Sequence, residues 1–152
     1  TGFLLDPQSP NIIAPGKRPA HTLNAFTAVR PDGTLYLVGG TPGANIQVQS
    51  NLQLITNMVD LKMNVQEATE APRWQHLNAS GQSSEEEKGL GVLEIENRVS
   101  EEVFEQLRAK GHEVKALPAW GHGSSVQMME VLANGTFAFG SDPRCEGHAS
   151  GI

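Results

Sequence analysis

The stretch that most constrains this chain runs from residue 34 to residue 61. A short β-prone apolar run, residues 34 to 38, enters the glycine turn Gly39-Gly40-Thr41-Pro42-Gly43-Ala44, and that turn opens into an apolar helical pattern. Val48, Leu52, Ile55 and Val59 recur at helical spacing, while Leu54, Met58 and Leu61 form a second stripe. A helix apolar on two faces is expected to lie buried between layers. Upstream, residues 21 to 30 favour strand and Pro31-Asp32-Gly33 is strong turn chemistry, so a hairpin is predicted immediately before the glycine turn.

The flanking segments extend this pattern. Pro7, Pro10, Pro15 and Pro19 each lack an amide donor and restrict the preceding residue, so residues 1 to 20 are expected to run as an extended arm. Asn64, with Glu67 three positions on, has the form of a capping box for a short helix that Pro72 closes. Residues 79 to 89 are polar and unpatterned around Glu85, Glu86 and Glu87, which reads as a surface loop with a solvated charge run. Residues 91 to 96 read as a strand. Ser100 is the expected cap of a helix through Lys110, with acids in its first turn, bases in its last and Gly111 beyond. Strands are predicted over 112 to 118, 124 to 132 and 135 to 140, the last two joined by Ala133-Asn134-Gly135. The resulting order, β-β-α-α-β-β-α-β-β-β, implies a mixed α/β layer fold with mostly antiparallel strands and flanking helices.

Composition narrows the function. A chain of 152 residues suits one domain, and a formal charge of -6 with 11 basic residues offers no electrostatic footprint for nucleic acid or an anionic membrane. No window approaches the roughly 20 apolar residues that span a bilayer. Cys145 is alone, which excludes an internal disulfide and a thiolate cage. The five histidines, at 21, 76, 112, 122 and 148, contain no close ligand pair, so neither a metal nor any other cofactor is expected.

The glycine turn is the best candidate for chemistry. Glycines let backbone amides converge on a small guest and the following helix adds its positive end, a geometry suited to an anion or a developing oxyanion. A nucleotide loop fits poorly: no Gly-Lys-Ser/Thr follows, and Val38 occupies the first glycine position of a dinucleotide fingerprint ending at Gly43. A plain strand-to-helix connection explains the same residues. For His21 the competing role is a hydrogen-bonded structural histidine, and for Lys17 and Arg18 the anchoring of the arm to neighbouring acids. Asp142 and Arg144, around Pro143, are expected to form a turn-fixing salt bridge or backbone cap.

Several of these motifs occur in one order: Pro10-Asn11-Ile12-Ile13-Ala14-Pro15-Gly16-Lys17-Arg18-Pro19, His21-Thr22, the turn at 39 to 44, Gln47-x-Gln49, Gln66-Glu67-Ala68, Ala71-Pro72-Arg73-Trp74, Gly111-His112 and Ser141-Asp142-Pro143-Arg144. In this order the chain resembles the small subunit of the gamma-glutamyltransferase (gamma-glutamyltranspeptidase) family of N-terminal nucleophile (Ntn) hydrolases. The resemblance implies a four-layer αββα sandwich, of which residues 1 to 152 would supply about one half as a single domain, the C-terminal part of the small subunit. It implies oxyanion-binding amides at Gly43 and Ala44, where the family turn is Ser/Thr-Pro-Gly-Gly. Ala44 keeps the N–H but disfavours positive φ, so the hole is expected to be slightly reshaped. His21 and Thr22 stand where transpeptidases carry the paired serines that hold a glutamyl carboxylate, and are the implied substrate-binding residues. Phe3-Leu4-Leu5-Asp6-Pro7 fits the acylase and amidohydrolase branch, and Thr1-Gly2 replaces the acidic pair that grips the substrate amine in transpeptidases.

The family nucleophile is a threonine several tens of residues before the Pro-Gly-Lys-Arg-Pro run, whereas nine residues precede Pro10 here, and Thr1 joins directly to the arm. The chain is therefore expected to act with a large subunit or N-terminal half of the same precursor. Together they would cleave a small-molecule amide or gamma-glutamyl substrate through an acyl-threonine intermediate; this fragment alone would be inactive. An apolar face left uncovered leaves room for a homo-oligomer. The competing class is a truncated or degenerate family domain serving as a binding or assembly module, and the upstream sequence would separate the two.

Overall fold

The computed structural model describes residues 3–18, 23–77 and 91–150. Its element order is the predicted one: β1 (Asn24–Val29), β2 (Leu35–Thr41), a 3-10 turn (Ala44–Ile46), α1 (Gln47–Val59), α2 (Val65–Glu70), β3 (Trp74–Leu77), β4 (Val92–Glu96), α3 (Glu101–Ala109), β5 (Glu113–Leu117), β6 (Gln127–Val131) and β7 (Phe137–Ser141). Residues 3–18 contain an isolated bridge between Leu4 and Ile12 and otherwise neither helix nor strand. The segment from 79 to 89 lies outside the described residues.

The strands form two sheets. One has the order β1-β2-β6-β7 and is antiparallel throughout; the other, β3-β4-β5, pairs β3 with β4 antiparallel and β4 with β5 in parallel across α3. Both hairpins of the first sheet close with the same chemistry. The Asp32 carboxylate accepts from the Thr34 amide and hydroxyl at 2.9 and 2.7 Å, and Asn134 Oδ1 accepts from the Thr136 amide and hydroxyl at 3.1 and 2.7 Å. Gly33 and Gly135 supply the positive φ that each turn needs.

Leu54, Met58, Val65 and Ala68, from α1 and α2, pack on Leu37, Val126 and Met128 of the first sheet and its approach. Seven buried apolar side chains of this size make hydrophobic burial the main stabilising term here. Gly140 of β7 has no room for a side chain because the Val65 carbonyl lies directly over it, so α2 sits on the sheet backbone itself. The capping box at the start of α2 is complete: Asn64 Oδ1 accepts from the amides of Gln66 and Glu67, and the Glu67 carboxylate accepts from the Asn64 amide.

Three local expectations need correction. Gly39 and Gly40 belong to β2, paired with Phe26 and Ala25, and the turn proper is confined to Pro42, Gly43 and Ala44. Gly39 serves packing, since a Cβ there would come within 2.6 Å of the Phe26 ring. In α1 only the Leu54 and Met58 stripe is buried; Val48 and Leu52 are 69% and 58% exposed. Beside that stripe the buried positions are polar, Gln47, Ser50, Asn51 and Gln53, because the helix contacts backbone edges as well as core. Gln53 bonds the amide and carbonyl of Trp74 at 3.1 and 2.9 Å, and Gln49 does the same for His76 at 2.7 and 3.0 Å. These two amides stand in for a missing strand along β3. Finally, Ser100 occupies the N-cap of α3, but its hydroxyl makes no cap hydrogen bond.

Candidate functional site

β2 ends at Thr41, whose hydroxyl donates to Asn51 Oδ1 at 3.1 Å and ties the strand end to α1. The chain then turns at Pro42, Gly43 and Ala44 into the 3-10 turn and α1. Gly43 adopts φ 131° and Ala44 φ 48°. Ala44 thus takes the left-handed conformation that the sequence led us to expect it would avoid. That conformation costs an alanine roughly 1–2 kcal/mol, which the fixed ends of the turn impose. Neither the Gly43 nor the Ala44 amide donates to another described residue, whereas the Gly43 carbonyl accepts from Ile46 at 3.1 Å and the Ala44 carbonyl from Gln47. These two adjacent N–H groups, without a partner among the described residues, lie at the start of the 3-10 turn that leads into α1, a placement of the kind that suits an anion.

Beneath this turn lies a buried polar core that sequence reasoning did not assemble. Arg144 makes a two-pronged bond to Glu96, both contacts at 2.6 Å, and also bonds Asp142 at 3.0 Å and the carbonyls of Thr69 and Ala71. Arg73 pairs with Asp142 at 2.6 Å and donates to the carbonyls of Thr69 and Ser124, each at 2.9 Å. Asp142 also accepts from the amides of Val126 and Arg144, and Glu96 from those of Arg73 and His122. Arg98 reaches Glu96 at 2.7 Å and stacks over Trp120. Burial would raise the Glu96 carboxyl, but its bonds to Arg144 and Arg98 outweigh that effect and hold it at about 2. The network joins the second sheet to the end of β7. The expected role of Asp142 and Arg144 in fixing a turn is therefore one part of a larger ionic joint.

His122 and Ser124 connect this joint to the turn. His122 is buried, and burial together with the Arg73 charge holds its imidazole below the usual histidine range. The Ser124 amide donates to His122 Nδ1 at 3.2 Å. The Ser124 and Ser50 hydroxyls are 2.7 Å apart, and Ser50 donates to the Ile46 carbonyl at 3.1 Å.

Of the residues singled out from sequence, Gly43 and Ala44 occupy the turn; His21 and Thr22 lie outside the described residues. Lys17 donates to the Pro10 carbonyl at 2.8 Å, within the arm itself, and pairs with no acid among the described residues. Among the described residues no group of three or more potential metal ligands occurs, and no helix is long and apolar enough to cross a membrane. An open depression of about 900 Å³ runs along β2, β6 and β7 beside the turn, bordered by Gly40, Pro42, Ser125, Gln127, Cys145 and His148. The missed residues left a signal: Glu94 and Glu96 alternate with Leu93 and Ile95, which places two carboxylates on one face of a strand.

A family model described as gamma-glutamyltranspeptidase matches residues 1–152. The chain is 35% identical over 153 residues to the oxamate amidohydrolase proenzyme of Klebsiella pneumoniae subsp. pneumoniae, covering 98% of this chain and 27% of that protein. It is 35% identical over 134 residues to a glutathione hydrolase proenzyme of Escherichia coli, covering 88% and 21%. The crystal structure of cephalosporin acylase from Bacillus halodurans superimposes with a TM-score of 0.74 at 28% identity, over 97% of this chain and 27% of that one. The chain spans about a quarter of the length of the curated relatives it matches.

Proposed function

The chain belongs to the gamma-glutamyltranspeptidase family of Ntn hydrolases, and from that premise we propose that it is the C-terminal portion of an amide-cleaving enzyme to which it contributes the oxyanion site. The observation that carries this reading is the pair of amides at Gly43 and Ala44 that meet no partner among the described residues. A threonine in the remainder of the protein attacks the carbonyl carbon of a small-molecule amide or gamma-glutamyl substrate. The carbonyl oxygen takes the negative charge and is held by the two amides. Collapse breaks the C–N bond, the amine leaves with a proton, and the acyl-threonine passes its acyl group to water or an amine acceptor. His21 and Thr22, at the sequence positions where the family binds the acyl group, decide which acyl group is accepted. The large subunit, or N-terminal half of the same precursor, supplies the nucleophile and the rest of the pocket, so residues 1–152 by themselves turn over no amide.

Support comes from the chemistry of the matched relatives, which includes an amidohydrolase, glutathione hydrolases and an acylase. The test is steady-state kinetics of the full-length enzyme. Gly43→Val places a side chain 2.9 Å from both Ile46 and Ser124 in a backbone conformation that disfavours it, and so moves the amides. Loss of one oxyanion donor lowers kcat by about 10²- to 10³-fold. Ala44→Gly keeps the N–H and lowers kcat far less, while His21→Ser with Thr22→Ser changes acyl preference. Unchanged kcat in folded, saturable Gly43→Val would make the turn a plain connection and the chain a binding or assembly module.

A further inference from the structure

We propose that Ser124 and His122, neither of which borders the depression beside the turn, are positioning residues that set the direction of the Gly43 and Ala44 amides from below. This inference rests on the reading of those amides as oxyanion donors. Gly43 packs closely over Ser124: a Cβ built at Gly43 would sit 2.9 Å from the Ser124 Cβ, so the turn rests against this residue. Two hydrogen-bonded paths fix Ser124. Its hydroxyl lies 2.7 Å from the Ser50 hydroxyl and 3.1 Å from His122 Nδ1, and Ser50 donates to the Ile46 carbonyl, so this path runs from His122 to the last residue of the 3-10 turn. Its amide donates to His122 Nδ1, which leaves Nδ1 bare and places the imidazole proton on Nε2, where it meets no partner among the described residues. A buried donor without a partner is costly, and its retention fits a histidine placed for its other nitrogen. The Ser124 carbonyl accepts from Arg73, so the ionic joint of Glu96, Asp142 and Arg144 braces the same residue. The turn is therefore held at both ends, by the Thr41 contact to Asn51 and by Ser124, which is what a fixed pair of donors requires.

The test uses the full-length enzyme, with kcat expressed per titrated active site. Ser50→Ala and Ser124→Ala each remove one link of the hydroxyl path with little change in volume, and His122→Leu removes the acceptor for the Ser124 amide. Each lowers kcat about tenfold, less than loss of a donor, with KM within about twofold, because donor alignment matters most in the transition state. His122→Asn recovers most of the loss seen in His122→Leu, since an Asn oxygen accepts from the amide two residues on. A fall in thermal stability or yield with kcat per site unchanged in all three deletions would overturn the inference, and so would a His122→Asn as slow as His122→Leu. If Gly43→Val reduces kcat while these variants do not, only the positioning claim fails. If Gly43→Val is itself without effect, the oxyanion reading fails and takes this claim with it.

Discussion

At the scale of single residues, the chemistry proposed for this chain rests on a backbone conformation and a few buried charges. The turn at Gly43 and Ala44 was legible because glycine and proline punctuate the sequence there, and the strained φ of Ala44 was not, because it is imposed by the ends of the turn. Arg73, Glu96 and the Asp142–Arg144 pair come from three separate segments, so local pattern could join only Asp142 to Arg144 and not the rest. Their ionisation makes stability depend on pH. Glu96 ionises at about 2 in the folded chain against an ordinary 4.5, so its contribution is fully present above about 4.5 and is lost as pH falls towards 2. A shift of that size corresponds to roughly 3 kcal/mol. His122, faced by Arg73, Arg144, Glu94 and Glu96, has a lowered folded pKa, so its contribution is present above about 6.5 and declines as pH falls below it. Urea midpoints of the full-length protein should therefore fall in two stages on acidification, and His122→Asn should flatten the first stage. A midpoint constant from pH 7 to pH 3 would contradict this account of the ionic joint.

At the scale of elements, periodicity located α1 but misjudged its faces. Val48 and Leu52 keep helical spacing and yet face outward, because the inward positions are taken by residues that satisfy backbone edges, and a hydrophobic count does not register them. Gln49 and Gln53 close β3, and Gln66 likewise bonds the Ser141 amide and carbonyl, each at 3.0 Å, at the end of β7. Glutamine amides four residues apart on a helix can do this only if the strand runs alongside, a tertiary fact. The α2 capping box, a wholly local device, was readable. Gln53→Leu removes both partners of Trp74 while keeping the side chain's approximate bulk. It should destabilise the protein by about 1–3 kcal/mol, the cost of leaving such groups unsatisfied, and hydrogen exchange should quicken first in β3. Wild-type protection of the Trp74 amide in Gln53→Leu would show that the glutamine is incidental.

At the scale of the molecule, α1 and α2 cover one face of the β1-β2-β6-β7 sheet, and among the described residues no helix covers the other. Val29, Phe137 and Phe139 on that face are 63%, 57% and 43% exposed, and the depression beside the glycine turn lies along it. An apolar sheet face of this kind drives association. Residues 1–152 produced alone should form dimers or larger species by light scattering and bind an apolar dye; a strict monomer without dye binding would mark a self-contained module. The layered class and element order followed from strand and helix signals, whereas the open face did not, because which strands share a sheet is set by tertiary pairing. The central claim is that the Gly43 and Ala44 amides hold the oxyanion, and the most direct measurement is a crystal structure of the full-length enzyme trapped with a boronate or phosphonate transition-state analogue. The account predicts the analogue's oxyanion oxygen at roughly 2.7–3.1 Å from both backbone nitrogens. An adduct whose oxyanion is held by other groups, with both amides turned to solvent, would contradict it.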